Sequence, residues 1–172
     1  SNSYITDSAA SGTAMACGKK TKNGAIGVDA EGKDLVSILK IAEEHGLSTG
    51  LVSTSAITHA TPASFVANEL SRNNYEAIAA DFLKTDVEVI IGGGLNHFTQ
   101  REDGNDLTSD FKKNGYTVLS DMTEVESFTS GKLLALTAPV HNPPVRDGRG
   151  DMLPKATNKA IELLSKNSKG FF

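Results

Sequence analysis

Asp7 and Ser8 head a run of small residues, "TDSAASGTAMACGKK", and a second polar group, Thr54, Thr58, His59, Thr61 and Arg72, follows in "STSAITHATPASFVANELSR". A Ser at the head of a helix feels the positive end of the helix dipole and several free backbone N–H groups. Those features favour an alkoxide there, and equally a bound phosphate. Ser and Asp are also ordinary helix caps, so these two residues alone leave cap and nucleophile both open. Asp7 can orient a cation or be the cap itself. Arg72 can fork two hydrogen bonds onto phosphate oxygens, which the point charge of a lysine does not do. Taken singly, a lone Arg reads as a solvated surface residue and a lone His as structural.

The elements that must carry these residues are legible in outline. The spacing predicts a short helix from about Ala9 to Cys17, with Asp7 or Ser8 at its N-cap and Gly18 beyond its end. "KDLVSILKIAEEHG" places Leu35, Ile38, Leu39 and Ala42 at helical spacing with Gly46 as the stop. Ser48 to Thr54 reads as a strand. "TPASFVANELSRNNYEAIAADFLKT" gives one or two helices, with Pro62 suited to a first helical position and Arg72 along the helix. "VEVIIGGG" reads as a buried parallel strand ended by glycines. A helix near Asp106 to Asn114, strand-like "YTVL", a helix near Met122 to Phe128 and strand-like "KLLALTA" follow. "PVHNPPVRDGRGDML" is loop by its Pro and Gly content. "PKATNKAIELLSKNSKG" is an amphipathic helix with Ala160, Ile161 and Leu164 as core contacts. Helices alternating with short apolar strands imply an α/β layered sandwich, a largely parallel central sheet flanked by helices. In such sheets ligands sit beyond the carboxyl ends of the strands, where the Thr54 to Arg72 stretch falls.

Composition sets the outer bounds. A chain of 172 residues, 38% apolar and 22% charged, is that of one globular domain. The net charge of −4, with no basic block, argues against nucleic-acid binding by phosphate neutralisation. No apolar run approaches the roughly 20 residues that span a bilayer. Cys17 is the single cysteine, which excludes an intramolecular disulfide and a cysteine-built zinc site. "IGGGLNHF" lacks the Gly-Lys-Ser/Thr of a P-loop and the spacing of a dinucleotide fingerprint, and reads as tight strand-end packing. The "RGD" at Arg149 to Asp151 is a three-residue coincidence in a loop.

Read together, "TDSAASGTAMACGKKTKNGAIGVD" and "GLVSTSAITHATPASFVANELSR" resemble the alkaline phosphatase family, as do "VEVIIGGGLNHF" and "KAIELLSKNSKGFF". The likeness runs from end to end and is weakest through Thr99 to Met152. It implies hydrolysis of phosphate monoesters through a phosphoserine, with two Zn2+ and one Mg2+. Under it Ser8 is the nucleophile and a metal contact, and Arg72 grips phosphate. Asp7 orients that arginine, Thr61 gives a hydroxyl to the Mg2+, and His59 stands beside this third metal site. The well-known enterobacterial type has Asp at the position of His59, so looser Mg2+ binding is expected here.

His45, His97 and His141 lie outside the family's zinc-ligand motifs. Both ends of the chain read as cut, which makes residues 1–172 the central part of one catalytic domain. That piece is expected to lack most metal ligands and to hydrolyse poorly by itself. The resemblance further implies a homodimeric parent in the periplasm or outside the cell, with small phosphate monoesters as substrates and inorganic phosphate as product. The alternatives are a sibling acting on phosphodiesters or sulfate esters, and a non-catalytic phosphate-binding module.

Overall fold

The computed structural model describes residues 3–172. Four strands, β1 (Gly50–Ala56), β2 (Val89–Gly93), β3 (Tyr116–Leu119) and β4 (Lys132–Leu136), form one sheet in the order β1-β2-β4-β3. Every pairing is parallel, with Leu51 opposite Ile90, Ile90 opposite Leu134 and Val118 opposite Leu134. The layered α/β architecture expected from the alternation of patterns is the one observed. The long helices are α1 (Ser8–Cys17) and α8 (Met152–Leu164). Between them run α2 (Ile38–Glu44), α3 (Ala60–Ala63), α4 (Tyr75–Asp81), α5 (Leu95–Thr99), α6 (Leu107–Lys113) and α7 (Met122–Ser127).

Successive side chains of a strand face opposite ways, so the sheet builds two cores. Ile90, Leu134 and Leu136 join Ile57, Phe82, Phe98 and Phe111 on one face. Val89, Ile91, Leu133 and Ala135 meet Val125, Met152, Ala156 and Leu163 on the other. The central strand β2 is buried throughout, which its unbroken apolar run requires, whereas β1 is half-buried along most of its length.

Several element boundaries differ from the sequence reading. Helix α2 starts at Ile38 behind a Ser37 cap whose hydroxyl accepts from the Lys40 N–H, so Leu35 lies before the helix. Arg72 is not on a helix: α3 ends at Ala63, α4 begins at Tyr75, and Arg72 occupies the turn between them. Pro62 is inside the short α3 rather than at its first position. On α8 the buried residues include Ala156, Ala160, Leu163 and Leu164, while Ile161 is 46% exposed. Positions 156, 160, 163 and 164 share one face at 3.6 residues per turn, and 161 falls off it. Helix α5 has no counterpart in the sequence pattern; it begins directly after the glycines of β2.

Those glycines serve close packing. A Cβ on Gly93 would lie 2.3 Å from the Val140 carbonyl oxygen, so the loop after β4 sits on the end of β2 only because Gly93 has no side chain. The Ala138 carbonyl holds that loop by accepting from the N–H groups of Gly94 and Leu95.

Candidate functional site

Asp7, with extended backbone, is the N-cap of α1, and Ser8 is the first helical residue, which resolves the capping question in favour of Asp7. The cap is a carboxylate that accepts from the Ala10 N–H at 2.9 Å through Oδ1. Its other oxygen, Oδ2, accepts from the Gly24 N–H at 3.0 Å and from Arg72 Nη1 at 3.3 Å. Ser8 is therefore free of capping duty, and its Oγ accepts from Arg72 Nη1 at 2.7 Å.

The backbone brings these distant positions together through Gly24. Its N–H donates to Asp7 and its carbonyl accepts from the Arg72 N–H at 2.7 Å. Gly24 does this at φ +86, a conformation that a side chain would strain. Helix α1 in turn lies close against α3, since a Cβ on Gly12 would stand 2.7 Å from Ser64 Oγ. Sequence reasoning missed Gly24. The signal available was a glycine in the polar loop after a Gly-Lys-Lys stop, which by itself says only turn.

Arg72 Nη2 lies 3.1 Å from His59 Nε2. A guanidinium can only donate, so Nε2 carries the lone pair and the imidazole keeps its proton on Nδ1. Burial, and then the charge of Arg72 and the neighbouring His141, hold the His59 pKa below the ordinary histidine value, which keeps that ring neutral. At Asp7 burial pushes the carboxyl upward. The hydrogen bonds from Ala10, Arg72 and Gly24 and the charge of Arg72 outweigh it, leaving Asp7 below the usual carboxylate value and ionised. The Asp7–Arg72 ion pair is only 27% and 22% exposed at its two side chains, so solvent screens it less than a surface pair.

Ser8, Asp7, Arg72 and His59 thus form one connected chain of hydrogen bonds. Thr61 lies two residues beyond His59 on α3; it is exposed, and among the described residues its hydroxyl bonds none of the other four. Of two further histidines, His141 packs against this group, whereas among the described residues His97 touches none of its four members. His141 packs edge-on against His59 with ring centroids 5.4 Å apart, and its Nδ1 accepts from the Ala56 N–H at 2.9 Å. His97 stacks on Tyr75, and its Nδ1 lies 2.6 Å from the hydroxyl of the fully buried Thr58.

The arrangement presents a half-buried hydroxyl at a helix N-terminus with a cation in contact with it, which lowers the cost of an alkoxide. Among the described residues no group of three or more His, Cys, Asp or Glu side chains could hold an ion, whereas Zn2+ takes three or four protein donors.

The alkaline phosphatase family model matches residues 1–172. The chain is 40% identical to alkaline phosphatase 4 of Bacillus subtilis (strain 168), over 98% of this chain and 38% of that protein. Among solved structures it matches alkaline phosphatase from the Antarctic bacterium TAB5 at TM-score 0.96 and 43% identity, covering 100% of this chain and 51% of that one. A His-to-Asp variant of the TAB5 protein, described with Mg bound in its M3 site, matches at TM-score 0.93 and 41% identity, covering 100% and 50%. The chain therefore spans about half the length of these solved relatives, and less of the Bacillus one.

Proposed function

The chain belongs to the alkaline phosphatase family, and from that premise we propose that it carries the nucleophile and phosphate clamp of a phosphate monoester hydrolase. The observation that carries the reading is the 2.7 Å contact between Arg72 Nη1 and Ser8 Oγ, with Asp7 fixed behind it. Ser8 Oγ loses its proton to solvent and attacks phosphorus as the ester P–O bond breaks, and the departing oxygen takes up a proton from solvent to leave as the alcohol. Water then splits the Oγ–P bond of the phosphoserine, regenerating the hydroxyl and releasing inorganic phosphate.

Arg72 can turn its two Nη groups from Ser8 and His59 onto two non-bridging phosphate oxygens, a fork that suits a monoester dianion. Asp7 positions it, since its Oδ2 is tied to Gly24 as well as to the guanidinium. On this reading Ser8 would contact a Zn2+ and Thr61 would give its hydroxyl to a Mg2+, with His59 near that third site. Bound metal supplies charge that favours the alkoxide and neutralises the leaving oxygen. Among the described residues no three His, Cys, Asp or Glu side chains converge on either ion's place.

For the same reason the 172-residue chain alone is expected to hydrolyse poorly, and brisk metal-dependent turnover by it would overturn that expectation. The working protein is proposed to be a homodimer of the periplasm or extracellular space. The test is p-nitrophenyl phosphate hydrolysis with Zn2+ and Mg2+, by a form extended to the length of its relatives. Ser8→Ala should abolish turnover; a folded, metal-loaded Ser8→Ala protein that turns over normally sinks the reading.

A further inference from the structure

Ser8 and Arg72 lie 64 residues apart, and a short stretch of backbone, residues 24–27, is bonded to the segments that carry both. On the α1 side the Gly24 N–H donates to Asp7 Oδ2. Thr13 meets the same stretch about one and a half turns further along the helix. Its hydroxyl donates to the Ala25 carbonyl at 3.3 Å and accepts from the Gly27 N–H at 3.0 Å. On the Arg72 side, Ile26 and Glu69 exchange both backbone hydrogen bonds at 2.8 Å, and the Arg72 N–H donates to the Gly24 carbonyl. Asn68 holds the far end: its Nδ2 donates to the Gly27 carbonyl, and to the Leu35 carbonyl at 3.0 Å. Asn68 is itself anchored, since its Oδ1 accepts from Lys40 Nζ and its N–H donates to Asp81 Oδ2, both at 3.1 Å. Thr13 and Ile26 are fully buried. A Cβ on Gly27 would stand 2.0 Å from the Ala67 carbonyl oxygen, so the stretch lies directly on the segment that leads to Arg72. Every partner named lies within the chain, and no open surface or cleft enters the arrangement.

We infer that Thr13 and Asn68 are positioning residues for the Ser8–Arg72 pair, acting through residues 24–27. The inference rests on the reading of Ser8 as nucleophile and Arg72 as phosphate clamp. An attacking oxygen must be held in line with phosphorus, and an error of about 1 Å costs on the order of a hundredfold in rate. The attachment at Asp7 fixes where α1 begins; the second, at Thr13, fixes the direction of its axis and so the direction in which Ser8 is presented. Asn68 serves the other partner. Arg72 follows it in a turn rather than on a helix, so its place is set by the bonds that this turn makes to residues 24–27. The bonds of Thr13 and Asn68 go to that stretch and not to Ser8 or the guanidinium, so both residues act at one remove.

The experiment uses metal-loaded protein extended to the length of its relatives, and an alkyl phosphate, whose poor leaving group makes attack by Ser8 limit kcat/KM. Thr13→Val keeps the shape and removes both hydrogen bonds; kcat/KM should fall about tenfold, the scale of a shift well under 1 Å. Thr13→Ser, which restores the hydroxyl, should recover most of that loss. Should Thr13→Val not fold, Thr13→Cys, a weaker partner in both bonds, stands in and should lose about threefold against Thr13→Ser. Asn68→Ala should lower kcat/KM in the same direction. The double variant should lose less than the product of the two, because both side chains hold one stretch of backbone. Leu163→Ala, which empties a core position on α8, is the control for stability alone: its melting temperature should fall while kcat/KM stays at the parent value. Parent kcat/KM in a folded Thr13 or Asn68 variant overturns the role of that residue. A loss that Thr13→Ser does not repair, one that Leu163→Ala copies, or fully multiplicative losses overturn the inference as a whole. Ser8→Ala separates the two readings: if turnover survives it, the proposed function has failed, whereas its collapse beside unmoved Thr13 and Asn68 variants defeats the positioning role alone.

Discussion

A histidine at position 59 puts a neutral acceptor against Arg72 where a carboxylate would put a second negative charge beside Asp7. It also withholds a hard oxygen donor from the neighbourhood of Thr61, and Mg2+ is bound through oxygen. His59→Asp is therefore expected to lower the Mg2+ concentration for half-activation by roughly tenfold, the scale on which residues behind the ligands act. The Mg2+-dependent rise in melting temperature should shift with it, and unchanged or weaker Mg2+ dependence defeats the argument. His97 offers a prediction of another kind. Burial, then the nearby His141, hold its pKa below the ordinary value, with Glu76 pulling weakly the other way. The unfolded chain protonates this ring near pH 6.5, above the folded value, so it binds more protons than the fold in the window just below. Stability is full above about pH 6.5 and falls as pH drops through that window. Thermal melts of His97→Gln should show a shallower loss than the parent, with His59, lowered in the same direction, still contributing; an identical slope would clear His97 of the effect. Ser8, Asp7, Arg72, His59 and Thr61 are all nameable from motif and spacing. His141 is not, because it reaches the site from a Pro- and Gly-rich loop whose path depends on Gly93 rather than on any periodicity.

At the level of elements, apolar periodicity locates helices and strands but misjudges faces where a helix starts late or turns slightly. Helix α8 is the clearest instance. Its spacing reads Ala160, Ile161 and Leu164 as core; the first and last are, whereas Ile161 stands 46% exposed while Leu163 is 7% exposed. Three apolar residues in a short window fit two faces almost equally well, and packing against Val125 and Ile91 picks one. The energetic consequence separates the two similar-sized neighbours. Leu163→Ala should cost about 2–5 kcal/mol, the range for an emptied core position. Ile161→Ala should stay within about 0.5 kcal/mol, as exposed positions do. Urea denaturation of both variants decides it, and comparable losses would mean that Ile161 is covered in solution. The short helix α5 escapes the sequence pattern for a related reason. Its five residues offer one buried side chain, Phe98, too little for a period, and its start is set by Gly94 with φ +105.

On the scale of the whole molecule, residues 170–172 pair with the outer side of β1 at its start, and among the described residues no other backbone segment pairs with that side as far as Val52. The terminal residues run parallel to the start of β1: Gly170 accepts from the Ser48 N–H, the Phe172 N–H donates to Ser48, and Phe172 accepts from the Gly50 N–H at 3.0 Å. Along a parallel strand alternate residues turn their backbone groups to opposite neighbours. Gly50 bonds outward to Phe172, while Thr49 accepts from Val89 of β2 on the inner side. The next outward amide after Gly50 is Val52, which no described backbone segment covers, whereas Leu51 faces β2 opposite Ile90. Unpaired edges exchange and associate more readily than paired strands. In the 172-residue chain the Val52 amide should exchange with deuterium on the order of a hundredfold faster than that of Leu51, and Ile90 and Ile91 of β2 should both be slow. Removal of residues 170–172 should bring Gly50 up to the rate of Val52 without moving Leu51, because the pairing lost is on the outer side alone. Equal protection at Leu51 and Val52 would mean that the outer edge is occupied, and dilution would then tell a second copy, whose protection fades, from a contact within the chain, whose protection does not.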